Sequence, residues 1–278
     1  MSDNKIPLAG VIGSPIAHSR SPRLHGYWLK KYGIAGHYIP MDIAPSDLAE
    51  AVQTLPRLGF VGINVTIPHK EAMLGLADIV TDRAALIGAA NTIIFRKDGK
   101  VHADNTDGYG FIQNLVEGAP GWSASKGPAA VLGAGGAARA IVSSLLEAGA
   151  PEVRLSNRTR ARADALRKDF GAKVNVFDWV KAGEMMEGCA TVVNTTSLGM
   201  TGKPELKVSL DYVSSDAVVT DLVYTPLQTD FLSRAAEKGC TTVDGLGMLI
   251  HQATPGFERW FGQKPEIDDD LREILLAE

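Results

Sequence analysis

The sequence predicts an α/β protein of two domains, and three observations predict it. The first is an apolar run, Ala129-Ala-Val-Leu132, followed at once by Gly133-Ala-Gly-Gly-Ala-Ala138. The run reads as a buried strand, and a helix then extends to about Gly149. Glycines 133 and 135 with Ala138 fit G-x-G-x-x-G/A. In such a turn, backbone N–H groups approach a pyrophosphate and the helix N-terminus favours its charge. The second observation is the continuation into strand–helix–strand units. Strands are expected near Glu152–Ser156, Thr191–Asn194 and Ala217–Leu222, which makes residues 107–245 a Rossmann-like nucleotide domain. The third is that the turn lies near residue 130, so the long stretch before it must form a domain of its own. That stretch also alternates strands and helices, the pattern of a mostly parallel sheet.

The front elements follow in order. Leu8–Ile12 is a first strand, ending in the loop Gly13-Ser-Pro-Ile-Ala-His-Ser-Arg-Ser-Pro22, and a helix covers about Pro22–Tyr32. Gly36–Met41 is a strand and Asp47–Leu55 a helix with Ser46 as N-cap. Val61–Ile67 alternates and is β-branched, hence a strand, with a helix over His69–Ala77. Gly88–Phe95 and Lys100–Ala103 read as strands joined by a turn at Lys97-Asp98-Gly99. Asn105–Val116 is a bridging helix, and Gly118–Pro128 a loop. The helices Met248–Phe261 and Asp268–Ala277 are expected to return to the first domain. That domain then comprises residues 1–106 and 246–278, with a ligand cleft between the two domains.

The second strand of the nucleotide domain decides the cofactor. An NAD site carries an Asp or Glu at its end, which bonds the ribose 2′-OH. This chain has Asn157-Arg158-Thr159 there, with Arg162 four positions beyond Arg158. A carboxylate repels a 2′-phosphate and a guanidinium fork matches it, so NADP(H) is expected over NAD(H). The alternative is a solvated helix face rich in arginine.

Composition bounds the rest. The 278 residues are 45% hydrophobic and 22% charged, as in a globular protein. A net charge of −4 gives no reason to expect nucleic acid or an anionic membrane as partner. No apolar run reaches a membrane span, and no signal peptide opens the chain. Cys189 and Cys240 form no framework, and the six histidines show no zinc spacing, so no metal and a cytoplasmic location are expected. A monomer or homodimer is expected.

Outside the glycine turn, Lys70 follows Thr66-Ile-Pro-His69 at an expected helix start, where the dipole disfavours an ammonium and suits the lysine to proton transfer. The alternative is a surface lysine. Asp107, in Asp104-Asn-Thr-Asp-Gly108, is either a helix N-cap or a carboxylate that orients Lys70. Ser19 and Ser21 flank Arg20 in a loop. Asn64 and Thr66 share one face of their strand, and Asn91-Thr92 opens another. Hydroxyls and amides with no G-x-S-x-G elbow suit a polyol substrate better than acyl transfer.

In combination these segments resemble the shikimate dehydrogenase family. The resemblance rests on Ser14–Pro22, Asn64–Lys70, Gly88–Thr92, Asp104–Gly108, Gly133–Ala138, Asn157–Thr159, Asn194–Met200 and Asp244–Met248, in order along nearly the whole chain. It implies reversible NADPH-dependent reduction of 3-dehydroshikimate to shikimate. It further implies that Lys70 and Asp107 are the catalytic pair, that Ser19 and Ser21 hold the substrate carboxylate, and that Thr66, Asn91, Tyr224 and Gln252 contact the substrate elsewhere. On the cofactor side it implies Asp82, Gly133, Ala134, Gly135, Gly136, Ala137, Asn157, Arg158, Thr159, Arg162, Leu222 and Gly245, with Met200 and Met248 near the nicotinamide or plain core. Rival readings are a quinate/shikimate or an aminoshikimate dehydrogenase and a non-catalytic NADPH-binding regulator. Asn157-Arg158 argues against the first, and intact Lys70 and Asp107 against the last.

Overall fold

The structure is a computed structural model that describes residues 6–277; the lead-in at residues 1–5 and Glu278 lie outside the described residues. Its elements run β1 (Leu8–Gly13), α1 (Ser21–Lys31), β2 (His37–Asp42), α2 (Leu48–Thr54), β3 (Phe60–Val65), β4 (Ile79–Val80), α3 (Asp82–Ile87), β5 (Thr92–Phe95) and β6 (Val101–Asp104). They continue with α4 (Asp107–Gly118), β7 (Ala129–Leu132), α5 (Gly136–Glu147), β8 (Val153–Ser156), α6 (Arg160–Phe170), β9 (Val174–Phe177) and β10 (Thr191–Asn194). The last are β11 (Val218–Asp221), α7 (Asp230–Glu237), β12 (Thr241–Val243), α8 (Leu246–Phe261) and α9 (Asp269–Leu276). The protein is α/β, with two mostly parallel six-stranded sheets.

Residues up to Thr106, together with those from Gln252 onward, form one compact unit, and Asp107–His251 forms the other. The division falls at 251/252, inside α8, where the sequence reading has 245/246. Pro255 lies within α8 and has no N–H for the carbonyl of His251, so the helix ladder is interrupted at the residue where the units part.

The first unit has strand order β2-β1-β3-β5-β6-β4, with β5 antiparallel to both β3 and β6. Because β5 runs backwards, its start lies at the same sheet edge as the ends of β1, β3 and β6. The loops that leave or enter there are 13–20, 66–71, 88–91 and 105–106. One face of this sheet packs on Ile12, Val52, Phe60, Ile63, Val65, Met73 and Ile93. An aromatic cluster from α1, β2 and α8 (His25, Trp28, Tyr38, Phe257 and Trp260) forms a second buried group. Trp260 donates its indole N–H to the carbonyl of Ile93 at 3.0 Å. It lies over Gly62, where a Cβ would stand 1.9 Å from the indole nitrogen.

The second unit has the order β12-β11-β10-β7-β8-β9, all parallel. The order reverses between β7 and β10, which is where open α/β sheets place ligands. Side chains alternate between the two cores, as a sheet covered on both faces requires. Ala129, Val131 and Val193 enter one core, while Ala130, Leu132 and Val192 enter the other.

Several local expectations are corrected. His69–Ala77 is no helix: a turn leads to a short 3-10 helix, Ala72–Leu76. Pro68 precedes this segment and Gly75 lies in it, and both oppose helix propagation. The strand expected from Gly88 starts at Thr92, because Gly88 takes a left-handed φ of 73° to end α3. Ser46 does not cap α2; a 3-10 turn over Pro45–Asp47 precedes that helix, and the Ser46 hydroxyl donates to Asp47 instead.

Candidate active site

The sheet edge of the first unit gathers several sequence-predicted residues. Thr66 leaves β3 with its N–H bonded to the carbonyl of Ile12, and Ser14 N–H bonds the carbonyl of Ile67, so the loops after β1 and β3 are laced together. Ser21 opens α1, and its N–H donates to the hydroxyl of Ser19 at 3.3 Å. Lys70, half-buried, lies in the turn after β3, and its carbonyl accepts the N–H of Ala90, next to Asn91. The helix dipole expected to act on Lys70 is therefore absent, since the nearest helical turn is the short one beginning at Ala72.

Asn91 and Gln252, 161 residues apart in sequence, are joined directly: Asn91 Nδ2 donates to Gln252 Oε1 at 3.2 Å. Thr106 N–H donates to Asn91 Oδ1 at 2.8 Å, and the Thr106 hydroxyl donates to the Gln252 carbonyl at 2.8 Å. The strand end just before Thr106 is fixed by Asp104. Its buried carboxylate accepts from Arg83 Nε at 2.7 Å and from Arg83 Nη2 at 2.5 Å. Thr81 Oγ1 and Asn105 N–H also donate to it. Burial raises the pKa of this carboxyl, but the bonds from Arg83 and Thr81 outweigh that and hold it below the usual carboxylate range. Asp107 is buried and is the first residue of α4, inside the helix rather than preceding it as a cap. Lys70 thus belongs to the first unit, and Asp107 opens the second. Asp82, expected on the cofactor side, stands exposed in the first turn of α3, in the first unit.

In the second unit, the turn after β7 has the features its sequence calls for. Gly133 has φ +107°, and a Cβ there would meet Thr195 Oγ1 at 2.5 Å, so only glycine fits between β7 and the loop after β10. That loop is held close by Thr195, whose N–H and hydroxyl both bond the carbonyl of Leu132, at 2.8 and 2.7 Å. Gly135 precedes α5 in an extended conformation without a side-chain cap, and at Gly135 and Gly136 a Cβ would meet nothing within 4 Å. Ala134 is buried and Ala137 half-buried, while Ala138 packs fully into the core behind the helix. The turn thus offers the N-terminal N–H groups of a 12-residue helix to an incoming pyrophosphate.

Next to it is a cavity of about 760 Å³ lined by Asn157, Arg158, Trp179, Thr196, Leu198 and Lys207, among others. Asn157 Nδ2 bonds the carbonyl of Thr159, which tightens the approach to α6. Thr159 precedes α6, which starts at Arg160. Arg158 therefore stands outside the helix, and Arg162 lies in its first turn, outside the lining of the cavity. Arg160 is committed elsewhere, to Asp178 at 2.5 Å and Asp164 at 3.6 Å. The residues present fit an NADP(H) phosphate group: Arg158 and Lys207 border the cavity against a single carboxylate, Glu205, and no Asp or Glu occupies positions 157–159 at the end of β8. Trp179 and Lys207 were missed by sequence reasoning, since neither lies near a recognisable motif.

Leu222 and Gly245 come together. Leu222 N–H bonds the carbonyl of Asn194 at 3.0 Å, and a Cβ on Gly245 would lie 2.5 Å from the Leu222 carbonyl oxygen. Buried Asn194 and Asp221 organise this edge. Asn194 Nδ2 donates to Asp221 Oδ1 at 2.9 Å, and Asn194 Oδ1 accepts from the N–H and hydroxyl of Thr196. Asp221 also accepts from Val223 N–H and the Thr229 hydroxyl, which positions the segment containing half-buried Tyr224. Burial raises the Asp221 pKa against the pull of these bonds. Met248 is half-buried against the core.

Among the described residues, no cluster of His, Cys, Asp and Glu could hold a metal ion, and no helix is long and apolar enough to cross a membrane.

Residues 11–93 match the family model described as the shikimate dehydrogenase substrate binding domain. Residues 119–200 match shikimate / quinate 5-dehydrogenase, and residues 245–275 match the shikimate 5'-dehydrogenase C-terminal domain. A shikimate dehydrogenase (NADP(+)) from Cereibacter sphaeroides is 70% identical over 273 residues, 98% of each chain. The solved structure of shikimate 5-dehydrogenase from Thermus thermophilus in complex with NADP(H) and shikimate aligns with a TM-score of 0.86 and 37% identity, covering 98% of both chains. Quinate dehydrogenase from Corynebacterium glutamicum in complex with NAD aligns with a TM-score of 0.90 and 31% identity, over 98% of this chain and 99% of that one. The chain belongs to the shikimate dehydrogenase family.

Proposed function

We propose that this protein is an NADP-dependent shikimate dehydrogenase, which reversibly reduces 3-dehydroshikimate to shikimate in the route to aromatic amino acids. The observation that carries the reading is the 70% identity, over 98% of both chains, to a shikimate dehydrogenase (NADP(+)). Arg158 on the cavity beside the glycine turn supports the choice of cofactor. In this reading the first unit binds the substrate and the second binds NADP(H). The cofactor, when bound, supplies or accepts the hydride.

The chain's own residues do the rest. Ser19 and Ser21 hold the substrate carboxylate by their hydroxyls, while Thr66, Asn91, Tyr224 and Gln252 contact its remaining oxygens. Ketone reduction leaves an alkoxide at C3, and the Lys70 ammonium gives it a proton. In the oxidative direction the neutral Lys70 amine takes that proton back. Asp107 orients Lys70 and accepts a hydrogen bond from a substrate hydroxyl. On the cofactor side, Gly133–Ala137 receive the pyrophosphate, and Asn157, Arg158, Thr159 and Arg162 the 2′-phosphate. Leu222 and Gly245 complete the cofactor side, to which the family resemblance also assigns Asp82.

This is a cytoplasmic protein, monomer or homodimer, with no nucleic-acid partner. A steady-state grid of shikimate and quinate against NADP⁺ and NAD⁺ tests the reading. The shikimate–NADP⁺ pair is expected to give the highest kcat/KM. A maximum in the quinate–NAD⁺ corner would favour the reading suggested by the quinate dehydrogenase likeness.

A further inference from the structure

The buried polar side chains beneath the substrate edge of the first unit form a continuous, directed chain. Tyr38 OH donates to Asn64 Oδ1 at 2.7 Å. Asn64 Nδ2 then gives its two hydrogens to the Asn91 carbonyl at 3.0 Å and to Thr92 Oγ1 at 3.3 Å. The Thr92 hydroxyl donates to Asn91 Oδ1 at 2.9 Å, and Asn91 Nδ2 donates to Gln252 Oε1. The Asn91 carbonyl can only accept, so the Asn64 amide keeps its nitrogen toward Asn91 and Thr92 and its oxygen toward Tyr38. The Thr106 N–H can only donate, so Asn91 keeps its oxygen toward Thr106, where the Thr92 hydroxyl also reaches it, and its nitrogen toward Gln252. Gln252 must then turn its oxygen to Asn91 and its nitrogen away from it. The phenol is pinned in place by His25, stacked on it at 3.9 Å with ring planes 8° apart.

We propose that Tyr38, Asn64 and Thr92 are positioning residues, a relay that runs from the buried phenol to Asn91 and through it to Gln252, and holds these two amides in the orientation in which they meet the substrate. The proposal rests on the function proposed above. None of the three residues need touch the substrate. Their effect is to hold the amide orientation on which discrimination of a polyol depends, because a flipped amide presents an acceptor where a donor is needed.

The test is Tyr38→Phe, which removes one oxygen and keeps the ring. KM for shikimate is expected to rise roughly tenfold, with a smaller change in kcat and none in KM for NADP⁺. Combining it with Gln252→Ala should raise KM no further than Gln252→Ala alone, since both act through the same amide. Independent, multiplying effects would overturn the relay, as would an unchanged KM in Tyr38→Phe. A second pair guards against a folding defect: Thr92→Val should reproduce the KM rise, and Thr92→Ser, which retains the hydroxyl, should restore the parent value. Equal losses in both Thr92 variants would overturn the proposal. A parent protein inert to shikimate but active on another substrate would instead remove the functional reading beneath it.

Discussion

His25 is fully buried against Tyr38, Trp28 and Phe257, and its ring nitrogens make no hydrogen bond. Desolvation by burial lowers its pKa to about 3 from 6.5, although the nearby Asn64 pulls the other way. Between those values the unfolded chain binds a proton that the native state refuses. Stability is therefore intact above pH 6.5 and falls as the pH drops toward 3, at about 1.4 kcal/mol per pH unit from this residue. Urea unfolding at pH 7, 5.5 and 4.5 should show a steeper loss in the parent than in His25→Phe; parallel curves would contradict the assignment. At the reacting oxygen, Lys70→Ala should lower kcat by orders of magnitude and leave shikimate affinity less affected, and an unchanged rate would remove the lysine from the mechanism. Arg158→Ala should weaken NADPH binding and narrow the gap to NADH, which comparative Kd measurements by fluorescence titration would read. At this scale, single motifs were legible because their chemistry is local: a glycine that must accept φ +107°, or arginines where an acid would stand. The Asn91–Gln252 contact and the Asp104–Arg83 pair were not legible, since nothing in the spacing of residues 161 or 21 apart announces a hydrogen bond.

Among the elements, the buried strands were the most readable. Ala129–Leu132 and Thr191–Asn194 are short apolar runs next to Gly133 and Thr195, and the structure gives them the expected bounds. The elements passed over are short or amphipathic without long periodicity: β4, α3, β9, α7 and β12. α3 did carry its own punctuation, a Thr81 side chain that accepts the N–H of Ala84 and a left-handed Gly88 at its end. With only six residues between, the apolar Ala89–Ala90 beyond drew the reading toward a strand. α9 is better specified. Asp268 caps it by accepting the Leu271 N–H at 2.9 Å and also accepts from Lys31 and Tyr27, each at 2.7 Å. The Lys31 bond, and then Tyr27, outweigh its desolvation and lower the Asp268 pKa to about 2. Asp268→Ala should cost about 1 kcal/mol, seen as a lower Tm at pH 7. An unchanged Tm would show that the cap adds nothing to the fold.

At the scale of the whole molecule, ligand binding should register as stability. A ligand present at a hundred times its Kd adds about 2.7 kcal/mol to the state that binds it. NADP⁺ should therefore raise Tm and slow hydrogen exchange at residues 133–137 of the second unit, while NAD⁺ at the same concentration does less. Equal shifts with both would contradict the choice made by Asn157 and Arg158. The position of the glycine turn pointed to two domains, whereas the division at 251/252 falls inside α8, a helix that runs on through it and so leaves no mark of the boundary in the sequence. That interruption of the first unit by the second has a consequence for biosynthesis. A nascent chain emerging from the ribosome presents the faces of Trp28, Tyr38 and His25 long before Phe257 and Trp260 are translated to cover them. The second unit, contiguous in sequence, has all its strands available earlier. Until synthesis passes residue 260, the front half is an incomplete client whose uncovered aromatics invite chaperone capture or aggregation.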